Sequence, residues 1–338
     1  MKIIWFLISL CLFYACKEKV AVEEKPVTQS GCSAASTGFT PLNDLGTGTF
    51  TNAWGDKWKG GLYPNGSNFI PPAHKAIGIQ LANQVLGLNA EGNPDAINGK
   101  IVWLSIGMSN ATQETQQFIP LAKAFLNKNS MLTFVDGAVG GMTATYISTV
   151  TYPNYTTYWN TVANRLSTAG VTAKQVQIIW LKEANAAGTT PVKQYYDSLT
   201  VQFKRIMHEL KNRFPNVKQC YIASRISARY ATTTLNPEPY SYYTGWAVKK
   251  VIEEQINGDS QLTYSGTNAK SPWLAWGIYL WSDGSTPQIT NPNVFWNCQT
   301  DLNASDGTHP SATGAKKVGN LLVTFFSTDS TSTPWFLE

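Results

Sequence analysis

The sequence predicts an α/β protein with a central, mostly parallel sheet and helices on both faces. Three observations carry this expectation. After residue 99, short apolar runs rich in β-branched residues alternate with segments of helical periodicity. The runs are apolar throughout, as strands covered on both faces are. The composition, with 14% charged and 12% aromatic residues in 338, excludes a disordered chain or a coiled coil and is enough for one large core or two modest ones.

The first fifteen residues read as an address. Lys2 precedes the apolar run from Ile3 to Tyr14, which is too short to span a bilayer as a stable helix. In Leu12-Phe13-Tyr14-Ala15-Cys16 a small residue directly precedes a cysteine. That pattern resembles a bacterial lipoprotein signal, in which Cys16 is acylated and becomes the new N-terminus; an ordinary secretory signal cut nearby is the alternative. Either way the chain is expected outside the cytoplasm, as a cell-envelope lipoprotein of the outer membrane or cell surface or as a secreted protein. With a lipid anchor, the membrane is a partner. Residues 16–40, rich in Lys, Glu, Val, Ser and Thr, read as a flexible tether.

Residues 41–338 read as one domain with a loop-rich N-terminal extension over 41–99. Within it Gly60 to Gly66 has turn composition and His74 to Leu86 has helical spacing. Strands are then expected over Lys100–Ile106, Met131–Val135, Val176–Leu181 and Val217–Ala223, with a last one inside Pro272–Trp281. Helices are expected over Gln113–Asn127, Tyr158–Ala169, Pro191–Phe214, Tyr243–Asn257 and Ala312–Phe326. In such a sheet, ligands lie beyond the carboxyl ends of the strands. Ser109, Gly140-Gly141 and Asn185 follow the first three strands.

A net charge of +5 without a basic stripe gives no footprint for nucleic acid. His74, His208 and His309 are scattered and no Cys-x-x-Cys occurs, so neither a metal nor another cofactor is expected. Beyond Cys16, the mature chain has Cys32, Cys220 and Cys298, enough for one disulfide and one thiol. The pairing stays open, with Cys220–Cys298 preferred because both fall in the folded region.

Two segments carry the chemistry. In Asp306-Gly307-Thr308-His309-Pro310, a carboxylate three residues before an imidazole on one turn can orient it as a base. Upstream, Ile101 to Ile106 leads into Gly107-Met108-Ser109-Asn110, a strand running into a turn that presents a serine. Together they suggest a serine hydrolase. Taken singly, a Gly-x-Ser turn is common, and Asp-Gly-Thr-His is also what a helix start looks like.

These residues resemble the SGNH (GDSL-like) hydrolase family over roughly residues 99–326. The resemblance implies a flavodoxin-like three-layer α/β/α sandwich and an esterase activity. Gly107-Met108-Ser109 stands where the family has Gly-Asp-Ser, with Met108 in place of the Asp; Asn110 makes the turn more like that of its carbohydrate acetylesterases. In Val135 to Thr143, Gly141 aligns with the family's glycine oxyanion donor. Asn185, in Trp180-Leu181-Lys182-Glu183-Ala184-Asn185, is the nearby Asn for a further donor, although the block departs from the family pattern. The resemblance thus implies Ser109 as nucleophile, His309 as base, Asp306 as orienting carboxylate, and Ser109, Gly141 and Asn185 as oxyanion donors.

The expected substrate is an acylated carbohydrate or another ester, with Asn110 and the aromatic faces of Trp281 and Trp296 as contacts. Trp273, Trp276 and Tyr279 crowd the same stretch, where core packing is the competing reading. Lys182 and Glu183 read as surface charges, His74 as structural, and Arg225 and Arg229 as solvated or structurally paired rather than anion-binding. A lipase or lysophospholipase, or a non-catalytic glycan-binding surface lipoprotein, is the alternative function.

Overall fold

The computed structural model describes residues 32–338. The signal segment 1–15, Cys16 and the tether up to residue 31 lie outside the described residues. Residues 32–40, expected as tether, are instead fixed to the domain, with the Ala34 carbonyl accepting from Arg229 and the Thr40 carbonyl from Tyr242. The extension holds a short helix α1 (Leu42–Leu45), an antiparallel pair β1 (Thr49–Thr51) and β2 (Lys57–Lys59), and helix α2 (Pro72–Ala82). The alternating part follows as β3 (Ile101–Gly107), α3 (Ser109–Ala124), β4 (Leu132–Asp136), α4 (Ala144–Ser148), α5 (Pro153–Thr168) and β5 (Val176–Lys182). It continues as α6 (Val192–Arg213), β6 (Gln219–Ile222), α7 (Tyr240–Ile256), β7 (Trp273–Trp276), α8 (Ala312–Thr328) and α9 (Thr333–Phe336).

Strands β3 to β7 form a parallel sheet in the order β4-β3-β5-β6-β7. The chain leaves β3 toward one edge and, after β4, crosses back to β5. The crevice between the ends of β3 and β5 is therefore the topological switch point, where open α/β sheets bind ligands.

Every residue of β3 and β5 is buried, as their apolar sequences require of strands covered on both faces. Alternate side chains serve opposite layers. Trp103, Ile178, Trp180 and Tyr221 pack with Phe118 of α3 and Phe326 of α8. Val102, Leu104, Ile179 and Leu181 pack toward α5, α6 and α7. The result is an α/β/α sandwich.

Several expectations change. Helix α3 begins at Ser109 rather than Gln113, because the chain passes from strand to helix without an intervening loop. The disulfide joins Cys32 to Cys298, with Cα atoms 5.5 Å apart, not Cys220 to Cys298. Cys220 sits inside β6, sealed in the core, where burial pushes its thiol pKa up. Trp281 and Trp296 are 0% exposed and offer no sugar platform. Their indole N–H groups point inward, to Glu238 Oε1 and the Leu280 carbonyl, each at 2.8 Å. Trp273, Trp276 and Tyr279 are also core. His74 Nε2 lies 2.8 Å from the Leu274 carbonyl and its ring stacks on Trp273, a structural duty.

Candidate active site

Ser109 is the first residue of α3, directly after the inner strand β3. Its approach depends on Gly107, where a Cβ would fall 2.1 Å from the Lys182 carbonyl of the neighbouring strand. No side chain fits there, so the chain can turn tightly at the sheet edge. Starting a helix at Ser109 also leaves its backbone N–H without an intrahelical acceptor, at the positive end of the helix dipole.

The C-terminal turn brings the imidazole over this helix start. Ser109 Oγ is 2.7 Å from His309 Nε2, and His309 Nδ1 is 2.6 Å from Asp306 Oδ2. The other carboxylate oxygen, Oδ1, accepts the backbone N–H groups of Thr308 and His309 at 2.8 and 3.0 Å. Burial pushes the Asp306 pKa up, but these two N–H groups and the imidazole outweigh it and hold the carboxyl below its usual value. A carboxylate so held is ionised and fixes the imidazole with Nε2 toward the serine.

The glycine loop after β4 borders the same serine. A Cβ on Gly140 would lie 3.7 Å from Ser109 Cβ, and Gly141 has φ +77° with open space around it. Backbone bonds from Gly137 to Ser105 and from Val139 to Gly107 tie the loop to β3. Asp136 braces its start, accepting from Ser105, Thr112 and the N–H of Ala138, while Arg165 holds the Asp136 and Ala138 carbonyls at 2.8 and 2.7 Å.

Asn185 lies beyond β5 with its carboxamide engaged. Its Oδ1 accepts from the Thr145 N–H and hydroxyl, and its Nδ2 donates to Gln202 Oε1 at 2.6 Å. It therefore ties the start of α4 to α6. Asn110 is only 1% exposed, so its expected contact with substrate is corrected. Its side chain turns inward and donates to the Thr308 carbonyl at 3.3 Å.

Beneath these residues lies a set of charges that composition alone hides. Lys182 Nζ is 2.5 Å from Glu114 Oε1, with side chains 1% and 0% exposed. Burial lowers the Lys182 pKa to about 8 and raises that of Glu114, their mutual attraction opposing both shifts. Glu183 and Arg225 are buried beside them, so reading Lys182 and Glu183 as surface charges is corrected. Arg225 Nη2 reaches the Thr308 carbonyl at 3.5 Å, while Arg229 is structural, with Nε and Nη2 donating to the Ala34 carbonyl and Nη1 against Asp283. The i, i+4 spacing of Asn110 and Glu114 on α3 was the available signal, since it puts both on one face of that helix. Among the described residues, no three His, Cys, Asp or Glu side chains come together as a metal site.

No family model matches the chain, and neither does any curated protein. Among solved structures it is similar to a Slackia heliotrinireducens protein provisionally assigned as an SGNH hydrolase. That match has 12% identity and a TM-score of 0.34, covering 67% of this chain and 98% of the other. It is also similar to a Bacteroides fragilis protein provisionally assigned as an acylhydrolase, at 12% identity and TM-score 0.37, over 75% and 96% of the two chains. An extracellular lipase from Streptomyces rimosus is similar at 11% identity and TM-score 0.30, over 66% and 97%. By its own strand order and layering, the described chain is a doubly wound α/β/α sandwich with a serine, a histidine and an aspartate in hydrogen-bonded series at its switch point.

Proposed function

We propose that this protein is a serine esterase of SGNH type that removes short acyl groups, acetyl first among them, from carbohydrate. The observation that carries the reading is the unbroken series Ser109 Oγ–His309 Nε2–Asp306 Oδ2 at 2.7 and 2.6 Å. Ser109 attacks the ester carbonyl as His309 takes its proton. The imidazolium, stabilised by Asp306, returns that proton to the departing alcohol oxygen. Water then hydrolyses the acyl-serine by the same base. The oxyanion meets the N–H groups of Ser109 and Gly141, the first at a helix N-terminus, and Asn185 holds Thr145 at the start of the helix that follows the glycine loop. Such a donor is worth about 2.7–4 kcal/mol in transition-state stabilisation.

The rim supports a hydroxylated alcohol rather than a lipid. Thr232, Thr233 and Thr234 are exposed on a loop bound to the Asp306 carbonyl through the Thr232 N–H, and exposed Asn303 and Ser305 stand beside it. The Cys32–Cys298 bridge supports an oxidising, extracytoplasmic location, and Cys16 is the proposed lipid anchor. Intact mass after exposure to a fluorophosphonate tests the chemistry. One adduct on the native protein and none on Ser109→Ala is expected. Folded native protein without an adduct would sink the reading.

A further inference from the structure

Away from Ser109, a trench runs along α8 and the edge of the sheet at β7. Three adjoining clefts form it, of about 450, 380 and 210 Å³. The first and second share Asn293, Leu321 and Thr324; the second and third share Leu62, Asn68, Gly277 and Phe325. One end lies at Thr313 and Lys316, in the first turns of the helix that follows His309.

The wall chemistry is selective. Asn43, Asn68, Gln288, Asn291, Asn293 and Thr290 line the middle cleft, and none of its lining residues is charged. Leu62, Ile278, Leu321 and Phe325 supply apolar surface between these groups. Gln288 is 1% exposed with its carboxamide spent on Asn43 and on the Tyr279 and Trp281 carbonyls, so it is half-buried Asn291 and exposed Asn293 whose carboxamides suit a ligand with hydroxyls around a carbon frame. Two acceptors in the wall have no partner among the described residues: Asn43 Oδ1, on a residue 6% exposed, and Asn68 Oδ1.

The wall is also built in advance. Asp44 accepts the N–H groups of Ile289 and Thr290 at 2.8 and 2.9 Å and the Thr290 hydroxyl at 2.9 Å, while Asn43 Nδ2 donates to Gln288 Oε1 at 2.7 Å. This pins the amide-bearing loop to α1, so little ordering is left to binding. At the far end Phe69, 82% exposed, stands on the rim with its ring free to lie against a sugar face.

From these features we infer that the trench, through its uncharged middle cleft, is a second binding site, distinct from the catalytic centre, for a neutral polysaccharide chain, with Lys316, Lys317, Lys75 and Asp329 confined to the two end clefts. Its role in feeding acylated polymer to Ser109 rests on the esterase reading; its binding of polymer does not. The test uses the triple variant Phe69→Ala/Asn291→Ala/Asn293→Ala, whose sites are exposed or half-buried, so folding is retained. In native affinity gels cast with deacetylated xylan, glucomannan or mixed-linkage glucan, at least one should retard the wild type and not the variant. On the acetylated form of that polymer the variant's KM should rise about 10-fold, with p-nitrophenyl acetate hydrolysis within about two-fold of wild type. No retardation of wild type by any of the three, or equal retardation of the variant, overturns the proposal. Retardation lost in the variant while wild type hydrolyses neither ester keeps the binding site and removes the esterase.

Discussion

Asn110 donates to the carbonyl of Thr308 across 3.3 Å, so the residue after the serine is bonded to the residue before the histidine. Arg225 reaches the same carbonyl at 3.5 Å. Both contacts are long, yet all three groups are buried, and no competing water weakens them as it would at the surface. The first joins two segments 198 residues apart at the point where their relative position matters most.

Truncating Asn110 should therefore act through His309. Asn110→Ala is expected to cost about 1–2 kcal/mol of stability and to lower kcat about 10-fold with KM little changed. Urea melts and acetate-ester kinetics on the same preparation check both. A normal kcat on a destabilised protein would make the bond a packing detail.

Asp306→Asn should lower kcat by about 10⁴-fold at neutral pH, because the amide cannot hold the required tautomer. Its effect on stability depends on pH. The Asp306 carboxyl is held below its usual pKa, so its stabilisation is fully present above the unfolded-state value and is lost as pH falls through the lower folded one. Denaturant midpoints for wild type and variant should differ at pH 7 and converge as pH falls below the ordinary carboxylate range. A gap that widened in acid would contradict the assignment.

The buried pair below the site predicts non-additivity. Lys182→Met leaves Glu114 sealed in the core without its partner and should cost about 3–5 kcal/mol. Lys182→Met/Glu114→Leu removes both charges and should recover most of that. Thermal or urea unfolding of the two singles and the double gives the coupling directly. Simple addition would show that the two groups do not depend on each other.

The two kinds of cysteine should separate cleanly. Cys32 and Cys298 close a loop across a sequence separation of 266, and Cys32→Ser is expected to cost about 2–5 kcal/mol. Cys220→Ala removes only a sulfur from the interior and should cost about 1 kcal/mol. Mass spectrometry after alkylation without reduction should find one protected thiol, on Cys220, exposed to reagent only on unfolding.

Much of the layout was legible because it follows from local rules. An apolar strand, a glycine turn and a serine in Ile101 to Ser109, and an acid three residues before a histidine, are short-range patterns. Strand and helix periodicity placed each at one edge of a parallel sheet. The structure brings Ser109, His309 and Asp306 within hydrogen-bonding reach there. The helix start at Ser109 was less legible, since Ser-Asn-Ala-Thr has the composition of a turn until α3 packs against α8.

By itself the sequence determined the alternation of elements, the switch-point edge and the residues capable of acid–base and nucleophilic chemistry, because each depends on neighbours a few positions away. Tertiary structure alone decided that Trp281 and Trp296 face inward, since an aromatic ring is core or platform according to what packs over it. It also decided that Lys182 and Glu183 are buried, because their environment includes Glu114 and Arg225 from distant segments, and that Cys32 reaches Cys298. Burial and pairing are properties of the space between elements. The sheet had to assemble before that space existed.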